Sequence, residues 1–365
     1  MTAVLAATAE RLVTDPVPGH GSPAGVVIGV RDPSGDDIVA AGTRDPDGDP
    51  MTVDTRHDLA SVTKIVGTTA AVMALMSVGQ LDMTDPVSRF LPTVTADLTS
   101  EQLLRHRAGL WEWQPLYLTA RDPAAAWHRL DRLPLRYRPD SGFHYSDLGF
   151  MLLGRVVARI TGEPLDVAVT RLVTEPLGMT GTGYRPGPGP VAASAYGDAA
   201  ERRMVATGEP YPVLTPRRDF KDWRTTVITG EVNDGNAFHA LGGVSGHAGL
   251  FGTVTDLLTI GTALARYRDR VGPWDPAVVA RFLAPGPDAG RHLGFRSWPV
   301  EIDGRTTTMY GHPGFVGCVL GFLPDRGAAV ALCGNRLLTD GEPAPTEELW
   351  TIVRRAAGQT LGERA

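Results

Sequence analysis

The stretch from Ile65 to Val78 is the part of this chain that most limits what it can fold into. It is a long apolar run, rich in Ala and Met, and it is closed by Gly79. Such a run fits a helix buried on all sides with glycine as its stop. A helix of that kind needs a sizeable core around it. With 365 residues, 42% of them hydrophobic and 21% charged, the chain has material for one large or two interleaved domains.

Just ahead of that run stands Ser61-Val62-Thr63-Lys64. Lysine is nearly absent from this chain: Lys64 and Lys221 are the only ones, and arginine fills the other basic positions. The spacing puts Ser61 and Lys64 about one helical turn apart on one face, where an amine can take the hydroxyl proton. Arginine cannot do so, because guanidinium stays protonated, whereas a desolvated lysine shifts its pKa. A serine at the mouth of a buried helix also gains from the positive end of the dipole, which stabilises an alkoxide or acyl oxyanion. Ser-x-x-Lys arises by chance in many proteins, so the surroundings have to support it.

The formal net charge of -6 and pI near 5.9 argue against the basic surface that a nucleic acid or an anionic membrane would need. Met1 to Val13 lacks a basic leader segment and carries Glu10 and Arg11 where an apolar stretch would continue, so a cytoplasmic address is expected. No segment approaches the roughly 20 consecutive apolar residues of a membrane span. Cys318 and Cys333 lie in apolar runs, Phe315 to Leu323 and Ala328 to Gly334, separated by a Pro324-Asp325-Arg326-Gly327 turn. This reads as a β-hairpin, and pairing Leu323 with Ala328 sets the cysteines opposite each other as buried free thiols. Neither a metal site nor a cofactor is expected, since two cysteines without a CxxC spacing make no metal motif.

Alternation over Gly25 to Arg31 and Asp37 to Thr43, around Pro33-Ser34-Gly35, predicts an N-terminal hairpin. Thr306 to Tyr310, Phe315 to Leu323 and Ala328 to Asn335 supply three more strands, followed by a closing helix over Thr346 to Gly358. Between these ends, helices are expected over Ser100 to His106, Pro123 to Leu130, Ser146 to Thr161 (stopped by Gly162), Leu165 to Thr174 and Thr253 to Tyr267. Arg185 to Val191 and Ala199 to Trp223, rich in Pro, Gly and charge, read as loops or lids.

Two further segments complete a constellation. Tyr145 sits at the start of the helix ending near Thr161, where its phenol could share protons with Ser61 and Lys64. A structural tyrosine at a helix start is the plainer alternative. Gly311-His312-Pro313-Gly314-Phe315 is expected to begin a strand, with Gly314 letting a substrate approach the backbone. The amides of Ser61 and Phe315 would then form an oxyanion hole.

Ser61-Val62-Thr63-Lys64, Tyr145-Ser146-Asp147 and His312-Pro313-Gly314 resemble, in order and separation, the three motifs of the class C β-lactamase and penicillin-binding-protein superfamily. Leu103-Leu104-Arg105-His106-Arg107-Ala108-Gly109-Leu110 is similar to its LLxHxSGL segment, and Gly246-His247-Ala248-Gly249-Leu250-Phe251 to its GGLFST segment. The resemblance covers nearly the whole chain. It implies an α/β (α+β) fold, with a five-stranded antiparallel sheet flanked by terminal helices and an inserted, mostly helical domain. On this chain the sheet domain would take residues 1–60 and 245–365 and the helical domain 61–244, with the active site between them. It also implies Ser61 as nucleophile, Lys64 as its proton acceptor and Tyr145 as the relay to the leaving group.

Two departures matter. His312 stands where β-lactamases carry lysine, a form that looks more like the family's esterases, transacylases and some peptidases. It removes a fixed cation for a β-lactam carboxylate, which neutral imidazole replaces poorly. Asp147 stands where the family usually has asparagine. A carboxylate there raises the pKa of Lys64 and makes Tyr145 a rival for the role of base, unless Asp147 simply caps the helix beginning near Ser146. His247 and Asp234 lie in a polar, glycine-rich stretch that suits either a pocket wall or a structural role. Trp111, Trp113 and Trp223 are candidates for an apolar acyl pocket or for core.

The expected function is therefore a serine acyl-transfer enzyme that opens a small-molecule ester or amide and passes the acyl group to water or to an amine or alcohol. A β-lactamase or D-amino-acid peptidase is one alternative. A non-catalytic ligand-binding relative is the other.

Overall fold

Apolar residues fill both faces of the central sheet, and two layers of helix cover them. The computed structural model describes residues 3–15, 17–120, 122–215 and 220–364. Six strands form the sheet: β1 (Gly25–Asp32), β2 (Gly35–Gly42), β3 (Arg296–Ile302), β4 (Arg305–Pro313), β5 (Val319–Leu323) and β6 (Ala328–Gly334). Their order is β2-β1-β6-β5-β4-β3, with every neighbouring pair antiparallel. The two ends of the chain meet where β1 pairs with β6, in a register that includes Val26 with Gly334 and Val30 with Val330.

Side chains alternate across a strand, so one strand feeds two cores. On β1 and β6, Val26, Ile28, Val30, Val330 and Leu332 join the helices Ala3–Thr14 and Thr346–Glu363 in one cluster. Val27, Ala329, Ala331 and Cys333 turn the other way, toward the helix Val254–Ala265 and the helical half of the chain. That helix lies close: a Cβ on Gly29 would come within 2.6 Å of Val254, and one on Gly261 within 2.8 Å of Ala329.

The expected antiparallel sheet and terminal helices are present, but the sheet has six strands instead of five. The additional strand, β3, is an edge strand with Trp298, Val300 and Ile302 buried between exposed positions. Pro299 hid it, because proline demotes a strand pattern except at an edge, where no ladder partner is needed on one side. The cysteine hairpin has the expected Leu323–Ala328 pairing, and both thiols are free and buried. The stretch expected as lid loops contains a helix, Ala199–Thr207, while residues 216–219 of that stretch lie outside the described residues.

The apolar run after Ser61 is composite. A 3-10 turn over Ala60–Val62 leads into π-helical turns over Lys64–Thr69 and then an α-helix over Ala70–Ser77, with Gly79 at φ 71° beyond its end. The segment Ala60–Ser77 is apolar and long enough to cross a bilayer, yet 83% of it is buried inside the protein. It is the core helix that the rest of the helical half wraps.

Candidate active site

The site begins with a strained residue. Ala60 takes a left-handed backbone conformation, φ 44°, which costs a non-glycine residue free energy and persists only where the surroundings impose it. Its amide donates to Asp58 Oδ1 at 2.7 Å, and Asp58 Oδ2 accepts from the Asn233 amide at 2.6 Å. Asp58 lies on the short strand His57–Asp58, paired with Phe251–Gly252. This brace presents Ser61 at the floor of a cleft.

Lys64 is fully buried and its Nζ has three oxygens around it. It donates to Ser61 Oγ at 2.8 Å and to the His247 carbonyl at 3.1 Å, and it pairs with Asp147 Oδ1 at 2.6 Å. Burial opposes the charge, but the Asp147 carboxylate and then Tyr145 outweigh it and hold the lysine pKa above its ordinary value. Tyr145 stands beside both Lys64 and Ser61, with Lys64 Nζ 5.1 Å from its ring centroid; burial raises its pKa, against the lowering influence of Lys64 and Ser61. The three residues singled out in sequence are thus brought together.

Asp147 does not cap its helix. The helix Asp147–Thr161 is capped by Ser146, whose Oγ accepts from the Gly149 amide at 3.2 Å, and this frees Asp147 for Lys64. Ser146 is held in turn by His106, whose Nδ1 accepts from its amide at 2.9 Å and whose ring lies 4.5 Å from that of Tyr145. His106 itself has φ 56°, so a second strained residue supports the tyrosine. The motif containing it was legible, but this contact was not.

His312-Pro313-Gly314 closes strand β4 instead of opening the next one, and residues 315–318 form the turn into β5. A Cβ on Gly314 would meet the Leu59 carbonyl at 2.6 Å, so only glycine lets this loop lie against the nucleophile turn. Among the described residues, the main-chain amides of Ser61 and Phe315 donate to no main-chain acceptor. They are the donors expected of an oxyanion hole. His312 Nδ1 lies 2.7 Å from the Pro313 carbonyl, which can only accept, so Nδ1 carries the proton. Burial, then the charges of Lys64 and Arg296, push its pKa well below the usual histidine range. It is a neutral ring, as expected.

The other candidates separate. His247 is buried, its Nδ1 hydrogen-bonded with Ser245 Oγ at 2.8 Å and its Nε2 2.9 Å from Asp234 Oδ1, while its carbonyl anchors Lys64. Trp111 is a correction: its indole donates to the Pro134 carbonyl at 2.9 Å and Arg136 covers its ring, so it lines neither cavity at Ser61. Trp113, two residues on, lines one of them. Trp223 packs on Tyr117 and Phe220.

Two cavities meet at Ser61, Tyr145 and Phe315. One, of about 280 Å³, includes Asp147, Glu201, Asp234 and Met204. The other, of about 490 Å³, includes His312, Arg291, Arg296 and Arg336. Position 312 supplies no cation, but three arginines line the same side of the cleft. The three arginines come from sequence positions that no motif marks.

Residues 10–354 match the Beta-lactamase family, and the chain belongs to it. It is 29% identical over 323 residues to a putative D-alanyl-D-alanine carboxypeptidase of Escherichia coli (strain K12), covering 78% of this chain and 70% of that one. Among solved structures it resembles the D-amino acid amidase from Ochrobactrum anthropi SV3, at TM-score 0.73 and 20% identity over 100% of each chain. It also resembles EstCE1, a hydrolase with promiscuous acyltransferase activity, at TM-score 0.70 and 21% identity over 98% of this chain and 99% of that one. The protein is a serine hydrolase of the β-lactamase-like class.

Proposed function

We propose that this enzyme opens a small ester or amide through an acyl-Ser61 intermediate and passes the acyl group to water or to an amine or alcohol. The observation that carries this reading is the Ser61 hydroxyl held 2.8 Å from the Lys64 ammonium, beside Tyr145 and the main-chain amides of Ser61 and Phe315. Ser61 Oγ attacks the carbonyl carbon as its proton moves to the Tyr145 oxygen. The Tyr145 proton moves in turn to the departing nitrogen or oxygen. One carbon–oxygen bond forms, the bond to the leaving group breaks, and Tyr145 ends as it began, neutral.

Lys64 acts in this scheme as a fixed cation and not as the base. Its Asp147 partner keeps it charged, and the charge steadies the oxygen that Tyr145 shares during the transfer. The amides of Ser61 and Phe315 take the oxyanion. Deacylation runs the relay in reverse, with water or another acceptor in the leaving group's place.

Intact-protein mass spectrometry after mixing with p-nitrophenyl esters tests the reading. A single acyl adduct is expected, mapped to the Ser61 peptide and absent from Ser61→Ala. An adduct on any other residue, or none, overturns it.

A further inference from the structure

Asp58 is 2% exposed, and its two carboxylate oxygens accept from main-chain amides of two different segments. One is the amide of Ala60, on the turn that presents Ser61. The other is the amide of Asn233, in the loop 232–237, and that loop leads back to the lysine: Asp234 Oδ1 lies 2.9 Å from His247 Nε2, and the His247 carbonyl accepts from Lys64 Nζ. A single carboxylate therefore ties the nucleophile turn to the segment behind its lysine. Arg224 holds the same loop by donating to the Val232 and Asn233 carbonyls at 2.7 and 2.8 Å, and Glu201 by accepting from the Gly235 amide at 2.6 Å. Those contacts fix the loop; the Asp58 contact fixes the turn to it.

Such a clasp needs the carboxyl ionised. A carboxylate accepts at both oxygens, whereas a protonated carboxyl carries a donor on one of them, so one of the two buried amides would lose its acceptor. The turn is under strain, because Ala60 sits at φ 44°, and releasing its amide lets it relax. Burial, opposed by the two amides, raises the carboxyl to about 6, with Asp234 adding to the rise and Arg224 working against it. The Cys318 thiol donates to the Asp58 carbonyl at 3.3 Å, and burial pushes its pKa up, so it stays neutral. Burial also places two other groups of this region outside that range, His57 down to about 4 and Glu201 up to about 8.

We propose that Asp58 is a positioning residue for Ser61, its ionised carboxylate clasping the nucleophile turn to the loop 232–237, and that protonating this one group slows acylation. The inference rests on the acyl-Ser61 reading. Asp58 acts through the placement of Ser61 and Lys64 and not on the reacting atoms, so the loss falls on kcat and leaves KM nearly unchanged.

The test is p-nitrophenyl ester turnover from pH 7.5 to pH 5 in wild type, Asp58→Asn, Ala60→Gly and the double variant, with far-UV circular dichroism at each pH to show that the fold persists. Wild-type kcat is expected to fall about tenfold toward pH 5, with a midpoint near 6 and a steady KM. Asp58→Asn keeps one acceptor and turns an NH2 toward the other amide, so its kcat at pH 7.5 should be about tenfold lower and should lack that acid limb. Ala60→Gly removes the strain and leaves Asp58 in place, so its acid loss should shrink about threefold; added to Asp58→Asn, it should recover about threefold in kcat. A carboxylate that only stabilises the fold would give no such rescue. A folded wild type without the limb, a limb unchanged in Ala60→Gly, or a folded Asp58→Asn that keeps either the limb or wild-type kcat would overturn the inference. The first two of these outcomes decide the matter even should Asp58→Asn fold poorly. Mass spectrometry of the ester adduct separates the two proposals: Ser61 acylated with a flat pH profile sinks the role of Asp58 alone, and no Ser61 adduct sinks the acyl-transfer reading as well.

Discussion

The sheet and the Ser61 cleft are both buried, and they are buried for opposite reasons. On β6 all seven residues are inaccessible and apolar or small, and its value to the fold is area removed from water. Lys64 is just as inaccessible, but it is a charge, and it is tolerable only because Asp147, Ser61 and the His247 carbonyl surround it. A strand of the first kind survives any swap that conserves volume. The second kind fails when one partner is removed.

Four outcomes would break or sharpen that contrast. The largest concerns chemistry alone: Ser61→Ala should lower ester turnover by about a thousandfold or more, since the hydroxyl is the covalent handle. Its melting temperature should stay within a few degrees of wild type, because little volume is lost. Residual activity of several percent would remove Ser61 from the mechanism.

Next come two variants of similar cost and different cause. Asp147→Ala strands a buried ammonium and should destabilise the fold by about 3 kcal/mol in urea unfolding near neutral pH. Leu332→Ala opens a cavity in the sheet and should cost about 3 kcal/mol as well. Raising the pH separates them. Without Asp147, burial favours neutral lysine, so the first penalty should shrink as Lys64 loses its proton, while the second stays constant. Two parallel pH profiles would mean that Lys64 is not the source of the cost.

The third outcome is acid sensitivity. His57 is buried beside the site, and burial lowers its pKa from 6.5 to about 4, opposed by a hydrogen bond to the Thr55 carbonyl. A depressed histidine stabilises fully above its unfolded pKa, and that contribution is lost as pH falls from about 6.5 toward 4. Over a 2.5-unit gap it amounts to about 3 kcal/mol at most. Unfolding curves across that interval should show the loss in wild type, and a smaller one in His57→Gln. The smallest effect is expected from Ile28→Val, on the sheet face away from Ser61: about 1 kcal/mol of stability and no change in kcat. A change in kcat there would show that the outer core tunes the cleft.

Legibility followed the same division. The register of the cysteine hairpin could be read from the sequence, because an apolar run, a turn and a second run admit one sensible pairing, although its first strand begins at Val319 and not at Phe315. The edge strand β3 escaped because Pro299 and two charged residues interrupt its pattern. The serine and lysine were visible from spacing, and the tyrosine from its motif. Trp111 and Trp113 were both candidates, and nothing local distinguishes them: one bonds the Pro134 carbonyl and the other turns to the cleft, a choice made by the loops that pack on them.

What the sequence by itself determined is the set of groups that must be buried and the order in which they arrive: the sheet strands with their alternation, the apolar helix behind Ser61, and the Ser-x-x-Lys spacing. These are short-range properties of covalent geometry and periodicity. Only the tertiary structure decided which charges face each other. Asp147 became the partner of Lys64 because Ser146 took the cap, and Arg291, Arg296 and Arg336 became one wall because β3, its preceding loop and the end of β6 converge there. Electrostatic energy depends on distance through space, and residues far apart in the chain carry no local mark of being neighbours.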